Sequence, residues 1–260
     1  MSKYLVVAGH GAGDPGAVGN GLTEAGYYRD KMIPAIKKYA KQLKKNSIEI
    51  YDTSHDMFKD TKSGNGAYKL NGFESVTELH LDAAGAGSTA HGGHVIIHKG
   101  FNPDASDKAI ANVVKKYIGW FKPNGFDKRD NLLNLNVCAK RGVGYRLIEF
   151  GFITSLVDTN ILKAKVDTIA KELVEAITGE SLAAKSKAEY YTGIKAGAKV
   201  EARKTFGIYS DVARKKKVRD YPAGGSFKIK GMVKNANGTP LFITSKGNYC
   251  TANKEYIKVV

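Results

Sequence analysis

The sequence is poor in cysteine and has no long hydrophobic run. Its two cysteines, Cys138 and Cys250, lie far apart in a chain of 260 residues, which argues against a disulfide framework and excludes a thiol-rich metal site. No apolar run approaches the roughly 18 residues of a membrane span, and the N-terminus lacks the apolar stretch of a secretory signal. We therefore expect a protein that is made in the cytoplasm without a signal peptide and does not insert into a membrane.

Acidic residues are also scarce, with 25 Asp and Glu against 41 Lys and Arg, a net charge of +16. The excess is uneven: residues 1–180 carry 24 basic and 20 acidic residues, whereas residues 181–260 carry 17 and 5. The C-terminal third therefore holds +12 of the net charge. By sign alone, such a surface attracts nucleic acid, an anionic membrane or an anionic wall polymer, or it serves only to keep the protein in solution.

Length and composition predict a folded protein of one or two domains, at roughly 150 residues per domain. In the first two thirds, short β-branched or aromatic runs alternate with helical patterns, which is typical of an α/β fold with a mostly parallel sheet flanked by helices. The predicted strands are 4–8, 48–51, 76–81, 94–98 and 145–150. The predicted helices are 22–45, kinked at Pro34, then 104–120, and 155–177, which Gly179 ends.

The pattern changes after residue 180. Residues 181–200 are rich in Ala, Lys and Gly with little periodicity, which predicts a linker. Five short runs with strand character follow within about 60 residues, separated by turn signals such as the Asn-Gly pair at 237–238. The sequence therefore predicts a domain over 1–180, a linker over 181–200 and a small all-β barrel over 201–260.

The first strand runs into a glycine-rich stretch, GHGAGDPGAVGNGLTE, over residues 9–24. It contains G-x-G-x-G rather than G-x-G-x-x-G, and it lacks the G-K-[ST] ending of a phosphate-binding loop. Asp14 and Pro15 also stand where a helix N-terminus should collect phosphate. These mismatches argue against nucleotide binding, and the glycines are interpreted as a side-chain-free rim that lets a bulky substrate approach.

Three residues of this region and of a second strand form a candidate metal site. His10 follows the first strand, Glu24 opens the first helix, and His80 ends another strand in TELHLDAAG. Because the carboxyl ends of parallel strands meet at one edge of a sheet, we expect the three side chains to converge. Two histidines and one carboxylate are a common catalytic zinc set with a fourth position open to water. Taken singly, either histidine is more often structural, and Glu24 also suits a helix N-terminus.

A further carboxylate, Glu149, ends the apolar strand in YRLIEFGFITS. A glutamate there is out of place unless it is paired, with Arg146 or Arg141 as candidates, or has a chemical role. We expect simpler roles for the other histidines. His55 is expected to lie on the surface, and His91 and His94 are expected to line the substrate groove. His91, His94 and His98 are an alternative candidate for the zinc site, but residues i and i+4 of a strand lie too far apart for one ion.

These motifs, in this order over residues 1 to about 178, resemble the zinc-dependent N-acetylmuramoyl-L-alanine amidases of bacterial autolysins and phage endolysins. The resemblance implies that His10, Glu24 and His80 bind one zinc ion and that Glu149 is the catalytic acid/base. It implies hydrolysis, by zinc-activated water, of the amide bond between N-acetylmuramic acid and L-alanine in peptidoglycan. Asp82 and Ser155 stand where the family often has Asn, which leaves local hydrogen bonding open.

The C-terminal stretch, from GIYSDVARKKKVRDYPAGG to YCTANKEYIKVV, resembles the bacterial Src-homology-3-like wall-binding modules, more loosely than the first match. This resemblance implies binding to peptidoglycan or an associated polymer. The basic charge would add salt-sensitive attraction to anionic teichoic acid.

Together the two resemblances predict an endolysin-like enzyme acting at the bacterial cell wall, with holin-mediated release if its origin is a phage. Two rivals remain open: a zinc peptidase that cuts within the stem peptide, and a non-catalytic wall-binding protein with a degenerate amidase fold. A nucleic-acid binder is the rival that the charge alone suggests.

Overall fold

The structure is a computed structural model that describes residues 1–11, 13–182 and 189–260. It divides the chain into a unit over Met1–Leu182 and a second unit after it. Residues 183–188 of the predicted linker lie outside the described residues. Among the residues described, no helix combines the length and the hydropathy that crossing a membrane requires.

The first unit is built on a six-stranded sheet with the strand order β4-β1-β5-β8-β6-β7. Its strands, together with the small hairpin β2-β3, are β1 (Lys3–Ala8), β2 (Val18–Gly19), β3 (Leu22–Thr23), β4 (Ser47–Ile50), β5 (Ser75–Asp82), β6 (His94–His98), β7 (Phe126–Arg129) and β8 (Gly144–Phe152). The pairings are parallel except that β6 runs antiparallel to β8. The prediction of a mostly parallel sheet flanked by helices is confirmed.

Helices cover both faces of this sheet. They are α1 (Glu24–Tyr27), α2 (Ile33–Ala40), α3 (Met57–Lys62), α4 (Ala105–Ile118), α5 (Leu133–Lys140) and α6 (Leu156–Thr178). Along β1, Val6 and Ala8 belong to the core beneath α2, α4 and α6, whereas Leu5 and Val7 belong to the core beneath α3 and α5. This alternation is the period of two expected of a strand buried on both faces.

The predicted helix over 22–45 is divided. A π-helical turn, Tyr28–Met32, separates α1 from α2, and Pro34 lies in the first turn of α2. Proline has no N–H and clashes with the carbonyl four residues back, so the helix changes its hydrogen-bond pattern before Pro34. The helix predicted over 155–177 is α6, which Ser155 caps at its start and Gly179 ends at a φ of 66°.

The second unit is all β, as predicted. Its seven antiparallel strands are β9 (Lys199–Ala202), β10 (Phe206–Tyr209), β11 (Lys217–Tyr221), β12 (Ser226–Lys234), β13 (Pro240–Thr244), β14 (Tyr249–Thr251) and β15 (Ile257–Val259). The first residues of β12 pair with β9 and the rest pair with β13, so this long strand is shared by both halves of the sheet. Tyr190 and Tyr191, within the predicted linker, pack against the core of this unit.

Candidate metal centre

The site lies at the edge of the first sheet where β1, β5 and β8 end. The backbone N–H of Gly9 donates to the carbonyl of Leu79, which joins the end of β1 to β5. His10 follows with a φ of 62°, a left-handed conformation uncommon outside glycine. Arg29 donates a hydrogen bond to the carbonyl of His10. The chain therefore turns sharply at His10, whose imidazole lies within hydrogen-bond distance of Glu24.

The structure brings His10, Glu24 and His80 together. Nε2 of His10 lies 3.1 Å from one carboxylate oxygen of Glu24, and Nδ1 of His80 lies 2.9 Å from the other. One ligand atom from each residue can be chosen so that all three lie within 4.8 Å of one another. In the described part of the chain, no other group of three His, Cys, Asp or Glu side chains is close enough to hold a metal ion.

Glu24 is the buried centre of this cluster, with 2% of its surface exposed. The N–H groups of Ala17 and Leu81 donate to its two carboxylate oxygens. Burial by itself would raise the pKa of Glu24, but hydrogen bonds from the two histidines outweigh it and hold the pKa far below its usual range. The carboxylate is therefore ionised and fixed before any ligand binds.

Both histidines respond to this charge. The hydrogen bond to Glu24 is the main cause that raises the pKa of His10. Burial opposes protonation of His80, yet hydrogen bonds to Glu24 and Glu78 raise its pKa well above the ordinary value. In the metal-free protein, protons therefore balance the buried carboxylates. A metal ion that binds here must release protons, as binding to histidine requires.

Two glycines of the opening stretch make room for the ligands. A Cβ at Gly9 would lie 2.5 Å from the ring of His80, and one at Gly16 would lie 2.5 Å from the ring of His10 and 2.8 Å from Glu24. At Gly13 and Gly21 a Cβ would meet nothing within 4 Å. Gly13 and Gly21 therefore fit the interpretation of the glycines as an open rim. Gly9 and Gly16 have a different role, because the ligand side chains occupy their space.

Glu149 lies beside the cluster on β8, directly across from His80 in the pairing of β5 with β8. Its Oε2 atom is buried and has no hydrogen-bond partner among the described residues. Burial raises the pKa of Glu149 to about 8, and the positive charge of His80 opposes that rise. Arg146 pairs with Asp107 and Asp104, and Arg141 with Asn71, so neither proposed partner neutralises Glu149.

The donor set fits a zinc ion. Two imidazoles and one carboxylate are a three-residue set found in catalytic zinc sites, where the fourth position stays open. The unpartnered oxygen of Glu149, on the adjacent strand, suits a group that acts on a bound ligand. Because Gly9 and Gly16 have no Cβ, the imidazole rings of His80 and His10 have room beside Glu24.

The remaining histidines do not join this cluster. His94, on β6, is 1% exposed and pairs with Glu149 of β8. Neither nitrogen of its ring has a hydrogen-bond partner among the described residues. Burial lowers the pKa of His94 to about 4. The ring of His94 is enclosed, with Phe121 against it, and its place in the substrate groove stays a prediction. His91 and His55 are exposed.

Two carboxylates that contact His10 and His80 were not predicted from the sequence. Oε1 of Glu78 lies 3.0 Å from Nε2 of His80, and Oδ2 of Asp14 lies 3.3 Å from Nδ1 of His10. The signal for Glu78 was present: residues i and i+2 of a strand share a face, so a glutamate two residues before a candidate ligand lies beside it. In the sequence, Asp14 indicates only that the glycine-rich stretch does not bind phosphate.

A parallel sheet whose strand ends gather two histidines, a buried carboxylate and an unpartnered glutamate is typical of a metal-dependent hydrolase. The family model described as N-acetylmuramoyl-L-alanine amidase matches residues 5–179. The chain belongs to this family. A second model, described as Domain of unknown function (DUF5776), matches residues 190–257. The resemblance of that region to Src-homology-3-like modules stays a prediction.

Known proteins agree with this assignment. The chain is 40% identical over 193 residues to the probable autolysin PH of Staphylococcus aureus, covering 69% of this chain and 39% of that protein's length. Its fold is similar to the catalytic domain of the CD27L endolysin, which targets Clostridia difficile, with a TM-score of 0.54, 20% identity, and coverage of 70% of this chain and 100% of that chain. It is also similar to a putative N-acetylmuramoyl-L-alanine amidase from Neisseria meningitidis, with a TM-score of 0.53, 21% identity, and coverage of 68% and 94%.

Proposed function

We propose that the chain is a zinc-dependent N-acetylmuramoyl-L-alanine amidase, which hydrolyses the amide bond between N-acetylmuramic acid and the L-alanine of the stem peptide. His10, Glu24 and His80 hold the zinc ion, and Glu149 is the catalytic acid/base. One observation carries the proposal: the three-donor cluster lies next to an unpartnered glutamate on the adjacent strand, in a chain of the amidase family.

A bound zinc ion supplies Lewis-acid chemistry, which polarises a carbonyl group and makes water a better nucleophile. The protein supplies the proton transfer. Glu149 takes a proton from the attacking water and gives it to the leaving amine nitrogen. In the metal-free protein burial raises the pKa of Glu149 to about 8, and a general acid/base works best with a pKa near the operating pH.

The test is fragment identification on purified peptidoglycan, combined with metal analysis. We expect one zinc ion per chain, and products that are intact stem peptides with a free N-terminal alanine and glycan strands freed of peptide. His80→Ala should lose both the zinc and the lysis. Products cut within the stem peptide would instead identify a zinc peptidase. Bound zinc without any hydrolysis would identify a non-catalytic wall-binding protein.

We also propose that the second unit holds the enzyme on the cell wall through an anionic wall polymer such as teichoic acid. All five acidic residues of 189–260 are already engaged: four form ion pairs with lysines, and Asp211 accepts backbone N–H groups of Lys215 and Lys216. The remaining Lys and Arg side chains described in this unit form no ion pair. Their charge is available to a polyanion.

Two neighbouring features concentrate these cations. The turn that Asp211 holds presents Arg214, Lys215 and Lys216, all exposed. Beyond it, a cavity of about 390 Å³ has the aromatic rings of Tyr221 and Phe227 among its lining residues, together with Arg219, Lys246, Thr244 and Asn248. Cations beside aromatic rings and hydrogen-bonding side chains suit a polymer that carries both phosphate and sugar.

The test uses full-length Glu149→Gln protein, so that binding is measured without lysis. We expect it to be retained on isolated walls, less at high salt, and less on walls stripped of anionic polymer. Changing Arg214, Lys215 and Lys216 to Gln should weaken retention. A control with the same loss of charge in the first unit, Lys37, Lys41 and Lys44 changed to Gln, should not. Equal weakening by both variants, or comparable affinity for DNA, would refute a specific wall surface.

A further inference from the structure

A buried carboxylate lies behind the candidate ligand His80. Glu78 is 6% exposed, and it precedes His80 by two residues on β5. Its Oε1 atom lies 3.0 Å from Nε2 of His80. Its Oε2 atom accepts a hydrogen bond of 2.5 Å from the Tyr145 hydroxyl and one of 3.0 Å from the Asn134 amide. Both carboxylate oxygens are therefore fixed.

The imidazole of His80 is the ring that faces the buried Oε1 atom of Glu78. In the described part of the chain, no Lys or Arg forms an ion pair with Glu78. Burying a carboxylate without a strong cationic partner destabilises the folded state. The two neutral donors, the Tyr145 hydroxyl and the Asn134 amide, compensate this loss only in part. Packing alone does not require a charged residue here, because Gln has the same size and also accepts hydrogen bonds. The charge therefore points to a role at His80.

The geometry divides the two nitrogens of His80 between two carboxylates. Nδ1 faces Glu24 at 2.9 Å, on the side of the three-donor cluster, and Nε2 faces Glu78 at 3.0 Å. A carboxylate that accepts from Nε2 keeps the proton on that nitrogen. The lone pair of Nδ1 is then directed to the cluster, which is the form of histidine that binds a metal ion.

His10 has the same arrangement with the nitrogens exchanged. Its Nε2 faces Glu24 and its Nδ1 faces Asp14 at 3.3 Å. The side chain of Asp14 is 38% exposed, whereas that of Glu78 is 8% exposed. Since water screens an exposed charge, Asp14 should influence its histidine less than Glu78 influences His80.

We propose that Glu78 is a positioning residue, which holds His80 in the tautomer and ring orientation required to bind zinc. This inference rests on the zinc site proposed above. A divalent ion held by Glu24 and two neutral histidines has a net charge of +1, which the buried carboxylate of Glu78 helps to offset. It thus acts through His80 and not on the substrate.

The test measures zinc affinity of the full-length protein by competition with a chromophoric chelator. Partners of this kind typically change metal affinity by about 10- to 100-fold, and we expect Glu78→Gln to weaken zinc binding by that factor. Asp14→Asn should weaken it less. Glu74→Gln, the same change at an exposed position just before β5, should leave it unaltered. The ¹⁵N chemical shifts of the His80 ring should move in Glu78→Gln and stay unchanged in Glu74→Gln.

The outcomes separate this inference from the proposed function. Wild-type protein that binds no zinc refutes the zinc site itself. Wild-type protein that binds zinc, together with a folded Glu78→Gln protein of the same affinity and the same His80 shifts, refutes only the role of Glu78. If Glu78→Gln does not fold, Tyr145→Phe replaces it, since this change removes a donor to Glu78 and leaves both carboxylates in place. Unchanged affinity and unchanged shifts in Tyr145→Phe would then overturn the inference.

Discussion

Glu149 lies directly across from His80 in the register of two adjacent parallel strands, β8 and β5. Both side chains point to the same face of the sheet, since their strands alternate in step. The distance between the proposed catalytic carboxylate and the proposed metal ligand is therefore set by strand pairing and not by a loop. The rigidity of the site follows from the rigidity of the sheet.

The first prediction concerns turnover. Glu149→Gln removes the carboxylate but keeps the size of the side chain, so proton transfer is lost while the zinc ligands stay. A positioned acid/base contributes about 10²- to 10⁴-fold, and turnover should fall by that factor. The measurements are release of free alanine N-termini from purified walls and zinc content. Glu49→Gln, at an exposed position on β4, is the control. Substantial lysis by Glu149→Gln protein would remove the residue from the mechanism.

The second prediction concerns pH and the metal-free protein. The pKa of Glu149 rises from 4.5 to about 8 on folding, chiefly because of burial. Between these values the folded carboxyl keeps its proton while the unfolded one has lost it, so the contribution of Glu149 to the stability of the wild type falls as the pH rises. Glu149→Gln protein has no such group. Its advantage in free energy of unfolding over the wild type should grow from pH 5 to 8 and then level off.

Urea unfolding of both metal-free proteins at several pH values measures this difference. The other titrating groups are common to both proteins and largely cancel in the comparison. A difference that is the same at pH 5 and pH 8 would show that the pKa of Glu149 is not raised by folding.

The third prediction concerns the space at Gly9. Its Cβ position lies 2.5 Å from the ring of His80, so Gly9→Ala must displace that ring. Overpacking of this kind destabilises by about 1–3 kcal/mol, and here it also moves a ligand. We expect weaker zinc binding in chelator competition together with a lower melting temperature. Gly85→Ala is the control, because a Cβ there meets nothing within 4 Å. Equal zinc affinity in both variants would contradict the role of Gly9.

The fourth prediction concerns a buried ion pair away from the site. Arg146 and Asp107 are 2% and 5% exposed, and Nε of the arginine lies 2.6 Å from the carboxylate. Asp107→Ala leaves a buried guanidinium with only part of its compensation, which typically destabilises by about 3–5 kcal/mol. Chemical denaturation measures this change in the free energy of unfolding. Glu49→Ala, which breaks the exposed pair with Lys3, should change the stability by less than about 1 kcal/mol.

Much of the first unit could be predicted because its central strands are apolar on both faces. Short apolar runs in the sequence predict the buried strands β1, β5 and β8. The polar residues at the ends of these strands could then be identified as candidate site residues. The strand β11 could not be predicted in this way. It pairs with β10 at one edge of the sheet, and four of its five residues are exposed, so its sequence KVRDY carries no buried period.

The contacts around the ligands were less predictable. Glu78 occupies a position that a two-residue period assigns to the same face as His80, yet a glutamate in a strand is usually exposed. Its burial depends on Tyr145 and Asn134, which the fold brings from β8 and α5. The division of the first helix likewise depends on how the chain re-forms its hydrogen bonds before Pro34, which periodicity does not encode.

The separation of the three metal donors along the chain has a consequence for how the protein matures. Glu24 and His80 are 56 residues apart, and they meet in the folded protein, where β1 pairs with β5. An unfolded chain offers no local pair of these donors, so a metal ion that binds the cluster selects folded molecules and shifts the folding equilibrium by mass action. We therefore expect the supply of metal ion to determine how well the folded protein resists unfolding and proteolysis.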